Sequence, residues 1–203
     1  MKSKTRSPIA FPDEMPTKGL NSGTEYVPIT ANRTESARDK GADVSKSPFR
    51  IEPLADTGLI KALLARRWGD DLMMFGRTWK IDEYEALVAR NGQGEVLGLA
   101  THAMQKTTIL ALTIDNFSDI RGVGRALLDH VAEIGRQKGA RVLRVLTTND
   151  NTPALRYFQK LGFRIAALYP GAVMIYRTVA RNLPEIGVDG IPVRDAIELE
   201  IDL

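Results

Sequence analysis

The chain contains no cysteine among its 203 residues. This absence excludes disulfide bonds, a cysteine-ligated metal and a cysteine nucleophile, and it favours a reducing, cytoplasmic compartment. Long apolar runs are also missing, so we expect no membrane-spanning helix and no membrane partner. Lysines near the N-terminus are not followed by an apolar segment and are mixed with acidic residues, which argues against a signal or transit peptide.

A strong charge of one sign is lacking too. The formal net charge is +3 at pH 7, and lysine and arginine are scattered along the chain rather than grouped. A nucleic-acid partner needs a concentrated basic surface, so the sequence predicts none. We also predict no metal site. The length suits one domain with a substantial core.

Apolar periodicity is missing from residues 1–47, which contain Pro8, Pro12, Pro16 and Pro28 among serine, threonine, asparagine and charged residues. Such a segment buries too little apolar surface to offset its ordering entropy. We predict a disordered extension over residues 1–47, and the alternative is an arm that folds on a partner. The ordered domain is expected to cover residues 48–203.

Apolar periodicities predict the first elements of this domain. A strand at 49–54 precedes a helix at 58–68, which Asp56 can cap. The Asn91-Gly92 turn joins two strand-like runs into a hairpin, and a third antiparallel strand follows. Residues 70–81 mix methionine, aromatic residues and glycine without a clear period.

The second half of the chain alternates helices and strands. A glycine-rich loop opens a helix that Gly139 ends, and Pro153 suits the first turn of a later helix. The further segments are a buried strand at 141–147, a short helix at 154–161, a strand at 163–168, a helical segment at 174–182 and a final strand at 196–203 with one wet face. This order predicts an α/β domain on a mixed sheet.

The most informative motif is the glycine-rich loop between a strand and a helix, Arg121-Gly122-Val123-Gly124-Arg125-Ala126. Glycine lets the backbone approach a phosphate closely. The free amides of the helix's first turn then point at that phosphate, with the positive end of the helix dipole behind them. No Lys-Ser/Thr pair follows the glycines as in a P-loop, and three antiparallel strands before the loop do not fit a Rossmann unit.

Three motifs together resemble the GNAT superfamily of acyl-CoA-dependent N-acetyltransferases: Arg121-x-x-Gly124-x-Ala126, Asn151-x-x-Ala154 and Gly162-Phe163. The stretches 147–151, 159–163 and 190–195 resemble an uncharacterised bacterial group within it. The resemblance extends over residues 49–203. It implies an α/β, GNAT-like three-layer fold, with a central mixed sheet, antiparallel N-terminal strands and helices on both faces. It also implies acetyl-CoA as cosubstrate, a small-molecule or peptide amine as acceptor, and a monomer or homodimer.

The resemblance further implies where the coenzyme lies. Backbone amides of the glycine loop would hold its pyrophosphate, and Arg121 and Arg125 would add charge unless one of them only faces solvent. Backbone groups at the end of the preceding strand would pair with the pantetheine arm and polarise the thioester carbonyl. Asn151 would contact pantetheine or serve as a helix cap. The implied coenzyme-binding residues are Ile114, Asp115, Asn116, Arg121, Gly122, Val123, Gly124, Arg125, Ala126, Leu127, Asn151 and Phe158.

The catalytic groups depart from the family pattern. Members usually carry a proton-donating tyrosine five residues before the phenylalanine of the Gly-Phe pair, but Phe158 occupies this position and the tyrosine is Tyr157. One residue is about 100° of helical rotation, so Tyr157 should point elsewhere unless the helix is shifted. Leucines occupy the strand positions at which many members carry a glutamate that acts as the general base. His102, Asp115 and Glu85 are the remaining base candidates, and His102 has the most suitable intrinsic pKa. A structural role for His102 is the alternative.

The sequence thus predicts an N-acetyltransferase that moves an acetyl group from acetyl-CoA to a primary amine by direct attack in a ternary complex. Tyr157 and His102 are the candidate catalytic residues. The alternative is a binding module, a degenerate family member that holds acyl-CoA without turnover. The loss of the tyrosine at position 158 favours this alternative.

Overall fold

The computed structural model describes residues 48–65, 68, 72–179 and 183–203. The extension predicted over residues 1–47 lies outside this range. The elements are, in chain order, β1 (Phe49–Leu54), α1 (Thr57–Ala65), β2 (Leu72–Met74), β3 (Arg77–Trp79), β4 (Glu85–Asn91), β5 (Val96–Gln105), β6 (Thr108–Asn116), α2 (Val123–Gln137), β7 (Val142–Thr148), α3 (Thr152–Lys160), β8 (Arg164–Tyr169), α4 (Ala172–Val179) and β9 (Ala196–Asp202), with 3₁₀ turns at Ile81–Glu83 and Val188–Gly190. No helix in the described ranges is long and apolar enough to cross a membrane.

Seven strands form one sheet in the order β1-β4-β5-β6-β7-β9-β8. Strands β6 and β7 run parallel, and every other neighbouring pair is antiparallel. Strands β2 and β3 form a separate antiparallel hairpin. The predicted mixed sheet with antiparallel N-terminal strands is confirmed.

Helices cover both faces of the sheet. On one side, which we name the α2 face, Leu127 of α2 and Phe158 of α3 pack with strand residues such as Ile109 and Val145. On the opposite side, named the α1 face, α1, the β2–β3 hairpin and α4 each pack a separate apolar cluster against the strands. This three-layer arrangement confirms the predicted fold class.

A β-bulge interrupts the alternation of side chains along β6. Thr101 lies opposite Thr113 while the next residue, His102, lies opposite Ala111, so Leu112 is the extra residue. Ile114 consequently packs toward α2, on the same face as Ala111. Bulges are typical of places where a strand leaves a regular pairing.

The structure assigns a segment that the sequence left open and corrects one prediction. The segment 70–81, which had no clear period, contains the β2–β3 hairpin, because strands of three residues are too short to show one. The expected wet face of the final strand is limited to its end: Glu198 is only 4% exposed and the Glu200 side chain 14%, whereas the Asp202 side chain is 72% exposed. A glutamate indicates solvent by its polarity, but the Glu198 carboxylate is ion-paired with Arg144 on the neighbouring strand β7.

Candidate active site

The central sheet opens between its two parallel strands. Pairing of β6 with β7 runs from Thr108 opposite Val142 to Ala111 opposite Val145 and stops there. Strand β6 nevertheless continues to Asn116 and β7 to Thr148. Backbone groups on these facing edges are therefore available to pair with another extended chain. We call this gap the opening.

The N-terminus of α2 lies just beyond the end of β6. Gly122, the residue before the helix, has φ +89°, a conformation that favours glycine. No described side chain caps this end, and apart from the two neighbouring residues in the chain no described atom lies within 4 Å of the position that a Cβ on Gly122 would take. The first-turn amides have no intrahelical acceptor. They form an open, positively polarised end that suits an anion.

Gly98 on β5 lets α2 approach the sheet, and it was not among the site residues predicted from the sequence. A Cβ at Gly98 would lie 2.6 Å from the backbone oxygen of Asp115 and 2.7 Å from Cγ1 of Val123. A larger residue would therefore push the start of α2 away from the end of β6. The available signal was a single glycine inside a strand, which often marks a close backbone approach.

Several of the predicted coenzyme residues have side chains that are already engaged. Asn116 organises the loop before α2, since its Oδ1 accepts from the Ser118 amide at 3.0 Å and its Nδ2 donates to the Ile120 carbonyl at 3.1 Å. Asp115 is buried and accepts a hydrogen bond from Trp68 Nε1 at 2.9 Å. Val123 and Leu127 are in the core. These residues can offer only their backbone groups to the opening.

The two arginines of the glycine loop differ in their surroundings. Arg125 donates from Nε to both carboxylate oxygens of Asp129, at 2.8 and 2.7 Å, one helical turn further along α2. The charge of Arg125 is therefore partly compensated by Asp129. Arg121 is exposed in the loop before the helix.

Helix α3 begins at the carboxyl end of β7. The Asn151 side chain accepts from the Ala154 amide at 3.2 Å, which is the cap that the sequence offered as one of two uses. The contact between Asn151 and pantetheine stays a prediction. Phe158 is buried, with its ring centroid 5.3 Å from that of Phe163.

Tyr157 packs at the edge of the core beside Phe158, with their ring centroids 5.4 Å apart, on the side of α3 near α2. Its hydroxyl lies within electrostatic reach of Arg125 and Asp129 in the first turns of α2. Burial raises the pKa of Tyr157 to about 12, while Arg125 lowers it and Asp129 raises it further. The phenol therefore keeps its proton at neutral pH and can act as a donor.

His102 and Glu85 lie next to each other on β5 and β4, on the α2 face. His102 is 1% exposed, and burial lowers its pKa, with Glu85 raising it and Lys138 lowering it. Glu85 forms an ion pair with Lys138, which follows the last turn of α2. Lys138 thus lies at the end of α2 opposite to the glycine loop, about 22 Å along a helix of 15 residues. His102 lies opposite Ala111, the last β6 residue that pairs with β7.

A buried carboxylate on the α1 face was not among the predicted site residues. Glu198 on β9 lies opposite Leu146 of β7, the first residue after the last β6–β7 pair. Tyr169 donates its hydroxyl to Glu198 Oε2 at 2.7 Å, and Arg144 Nη1 lies 3.0 Å from Oε1. The pKa of Tyr169 is raised to about 12, mainly by burial and by this hydrogen bond. In the sequence, only the alternation of apolar and acidic residues along the final strand pointed to Glu198.

The segment before β9 is fastened to the loop after β7. Asn149 Oδ1 accepts from the amides of Arg194 and Asp195, both at 2.9 Å, and its Nδ2 donates to the Pro192 carbonyl at 2.9 Å. Asp150, which is fully buried, accepts from the Val188 amide at 3.2 Å. We name residues 183–195 the C-terminal strap. These contacts hold the strap against the loop that follows β7.

Comparisons with known proteins agree with this geometry. Residues 59–163 match the model of the Acetyltransferase (GNAT) family. The chain is 29% identical over 140 residues to the uncharacterized protein YdhI of Bacillus subtilis, covering 68% of this chain and 88% of that protein.

Solved structures are similar as well. One is an IAA acetyltransferase from Bacillus cereus, with a TM-score of 0.61 and 25% identity over 76% of this chain and 99% of that one. Another is a GNAT family acetyltransferase from Elizabethkingia anophelis with acetyl-CoA bound, with a TM-score of 0.57 and 22% identity over 78% of this chain and all of that one.

Proposed function

Because the chain belongs to the GNAT family of acetyltransferases, we propose that it moves an acetyl group from acetyl-CoA to a primary amine by direct attack in a ternary complex. The observation that carries the proposal is the opening between β6 and β7, with the uncapped N-terminus of α2 beside it. When bound there, acetyl-CoA supplies an activated acetyl thioester.

The residues of the opening fit this cosubstrate. Gly122 leaves room beside the first-turn amides of α2, and a Cβ at Gly124 would make only an ordinary 3.8 Å contact with Ile114. The amides from Gly122 to Leu127 would hold the pyrophosphate, and Arg121 adds positive charge. The edge of β6 at residues 114–116 would pair with the pantetheine arm, as an added strand does. A related structure from Elizabethkingia anophelis holds acetyl-CoA, which supports the assignment.

We propose Tyr157 as the proton donor to the departing sulfur. It turns toward the first turns of α2, where the coenzyme would lie, and its phenol is protonated at neutral pH. A backbone N–H at the end of β6 would polarise the thioester carbonyl. General acid help of this kind contributes about 10²–10⁴-fold to a rate.

The general base is harder to assign to a residue at the opening than the proton donor is. His102 is the candidate from the sequence, but its position near Lys138 and the end of α2 favours a structural role. The acceptor would attack as the free amine, and the proton that its nitrogen loses on acylation would restore the phenol of Tyr157 after that phenol protonates the sulfur. Positioning of the two substrates would contribute several kcal/mol to barrier lowering. The absence of cysteine excludes an acyl-cysteine route. It is also consistent with the cytoplasm, which we propose as the compartment.

A binding module that holds acyl-CoA without turnover is the second candidate. Phe158, which cannot donate a proton and is buried against Phe163, is the observation that favours it. The two candidates share the opening and differ in whether a product forms.

The test is acetyl transfer by the full chain to a panel of alkylamines, diamines, amino acids and short peptides. Released coenzyme A thiol can be followed with a thiol reagent without background from the protein, since the chain has no cysteine. Thiol release together with a product heavier by one acetyl group is the expected result. Coenzyme A binding without any acetylated product would contradict an enzyme and favour the binding module.

A further inference from the structure

The two edge strands of the seven-stranded sheet, β1 and β8, differ in composition. Strand β1 carries Arg50, which is exposed and paired with Glu52, and Pro53, which has no backbone N–H. Charged residues and proline on an edge strand discourage its pairing with another chain. Strand β8 has the sequence Arg-Ile-Ala-Ala-Leu-Tyr and carries a charge only at its first residue, Arg164. The β8 edge therefore lacks the side chains that protect the β1 edge.

Strand β8 also exposes two large apolar side chains. Ile165 is 56% exposed and Leu168 is 55% exposed. In the part of the chain that the structure describes, four large apolar side chains are exposed, and the other two are Met174 and Ile186. An edge strand that combines unpaired backbone groups with exposed apolar side chains indicates an interaction surface.

A β-bulge places these two side chains on the same face of the sheet. Ile165 lies opposite Leu199 of β9, which packs on the α2 face. Leu168 lies opposite Ile197, which packs on that face too. Two residues three positions apart would lie on opposite faces of a regular strand, so the extra residue, Ala166, is what aligns them. A bulge can also turn an edge strand away from pairing, which is the competing role.

The order of residues along β8 is complementary to itself. Antiparallel pairing with β8 of a second copy, about a two-fold axis between Ala166 and Ala167, places Ile165 opposite Leu168 of that copy. Small side chains then lie at the axis, and an apolar pair lies on each side of it on the α2 face. An apolar centre of this kind is typical of protein interfaces.

Charges near the two ends of β8 favour the same orientation. An ion-paired group of two arginines and three carboxylates, with a net charge of −1, lies at the start of β8 and consists of Arg144, Arg164, Glu198, Glu200 and Asp202. Arg194, which is exposed, precedes β9 near the other end of β8, where Tyr169 lies opposite Ala196. Antiparallel pairing brings the acidic end of one copy alongside the Arg194 end of the other. Parallel pairing would bring like charges together.

We propose that β8 is the self-pairing edge of a two-fold symmetric dimer, in which the sheets of two copies join into one continuous sheet. The occupant of the edge is a second copy of this chain, because the apolar residues and the charges are complementary to themselves. The proposal is independent of acetyl transfer, since β8 contributes no residue to the opening between β6 and β7.

The first test measures the association of the full chain by sedimentation velocity over a wide range of protein concentration. Wild type should form a dimer whose fraction rises with concentration. Leu168→Lys places two charges in the apolar centre and should raise the dimer dissociation constant by about 100-fold or more. Ile186→Lys is the matched control: Ile186 is 57% exposed but belongs to the C-terminal strap, so this variant should dimerise like wild type.

Disulfide cross-linking tests the register, and the chain has no cysteine of its own. Opposite residues of an antiparallel pair have Cα atoms about 4.5–5.5 Å apart, which a disulfide can bridge. Oxidation of a mixture of Ile165→Cys and Leu168→Cys chains should therefore link one chain of each kind. Each variant by itself should stay unlinked, because identical residues of the two copies lie three positions apart along the strands, about 10 Å.

Three results would overturn the proposal. A monomer at every concentration would do so and would identify the bulge as a device that protects the edge. A dimer that Leu168→Lys leaves intact would place the interface elsewhere. A mixture that does not cross-link, or cross-links no better than either variant by itself, would exclude the antiparallel β8 pair. Because Leu168 is exposed, Leu168→Lys should keep the melting temperature of the monomer, which controls for folding.

Discussion

Two adjacent aromatic residues of α3 face different surroundings. Phe158 packs its ring against Phe163 in the core, where a hydroxyl would need a buried partner. Tyr157, about 100° further round the helix, turns toward Arg125 and Asp129 of α2. The exchange of tyrosine and phenylalanine between these positions therefore places the phenol at the edge of the core, near Arg125 and Asp129 of α2.

Tyr157→Phe tests whether this phenol donates a proton. We expect kcat for acetyl transfer to fall by about 10²-fold, because general acid help is lost, with little change in the KM for acetyl-CoA. The kcat and both KM values are measured by thiol release, and the melting temperature serves as the control for folding. An unchanged kcat would remove Tyr157 from the mechanism and leave positioning as the main source of rate.

His102 predicts a pH dependence of stability rather than of catalysis. Burial is the main cause that lowers the pKa of His102 below its ordinary value of 6.5. The unfolded chain therefore binds a proton at a higher pH than the folded one. The stability that the neutral ring provides is complete above pH 6.5 and is lost as the pH falls through the lowered folded pKa.

Urea unfolding between pH 7 and pH 5 is the measurement. Wild type should lose stability over this interval, before the carboxylates with lowered pKa values, such as Glu85, begin to titrate. His102→Gln should flatten the dependence, while His130→Gln, at an exposed position on α2, should preserve it. A large fall in kcat for His102→Gln at unchanged stability would instead favour the catalytic base.

Among the elements, the C-terminal strap gives a structural reason for two stretches of the sequence motif, 147–151 and 190–195. The stretch 147–151 and the stretch 190–195 are far apart in the chain, yet Asn149 hydrogen-bonds three backbone groups of the strap. Gly187 is required there, since a Cβ would lie 1.9 Å from Oδ2 of Asp150. Arg177 of α4 donates to the carbonyls of Leu183 and Val193, which fixes both ends of the strap.

Asn149→Ala should release the strap without unfolding the sheet. Losing three hydrogen bonds at a partly exposed site costs about 1–3 kcal/mol. Hydrogen exchange followed by mass spectrometry should become roughly tenfold faster in residues 183–195, with α2 unaffected. Asn91→Ala, in the β4–β5 turn, is a control that should leave the strap protected. Uniformly faster exchange would show that Asn149 supports the whole fold instead.

For the whole molecule, periodicity predicted most of the fold. The antiparallel hairpin at Asn91-Gly92, the third strand and the helix after the glycine loop follow local rules of spacing and turn chemistry. The glycine loop also indicated an anion site, because its signal depends only on neighbours in the chain.

Features set by distant contacts could not be predicted in this way. Strand β9 inserts between β7 and β8, and this register is what buries Glu198 beside Leu146. The bulge at Leu112 and the end of the β6–β7 pairing at Ala111 depend on the packing of three strands. The glycine loop of the candidate site could thus be predicted from neighbouring residues in the chain. The opening could not, because it depends on the topology of the sheet.

The proposed transfer depends on acetyl-CoA binding at the opening and the N-terminus of α2, and the measurement for this binding is calorimetric titration of coenzyme A into Gly124→Asp. The site tolerates a side chain, because a Cβ there meets only Ile114 at 3.8 Å, and an aspartate near a helix N-terminus favours the helix. Binding, not folding, should therefore respond to the new carboxylate. Gly124→Ala controls for the added Cβ, and Gly92→Asp for an added charge elsewhere. We predict that Gly124→Asp loses coenzyme A binding by about 100-fold or more while both controls bind; undiminished binding by Gly124→Asp would show that the pyrophosphate does not lie at this helix N-terminus.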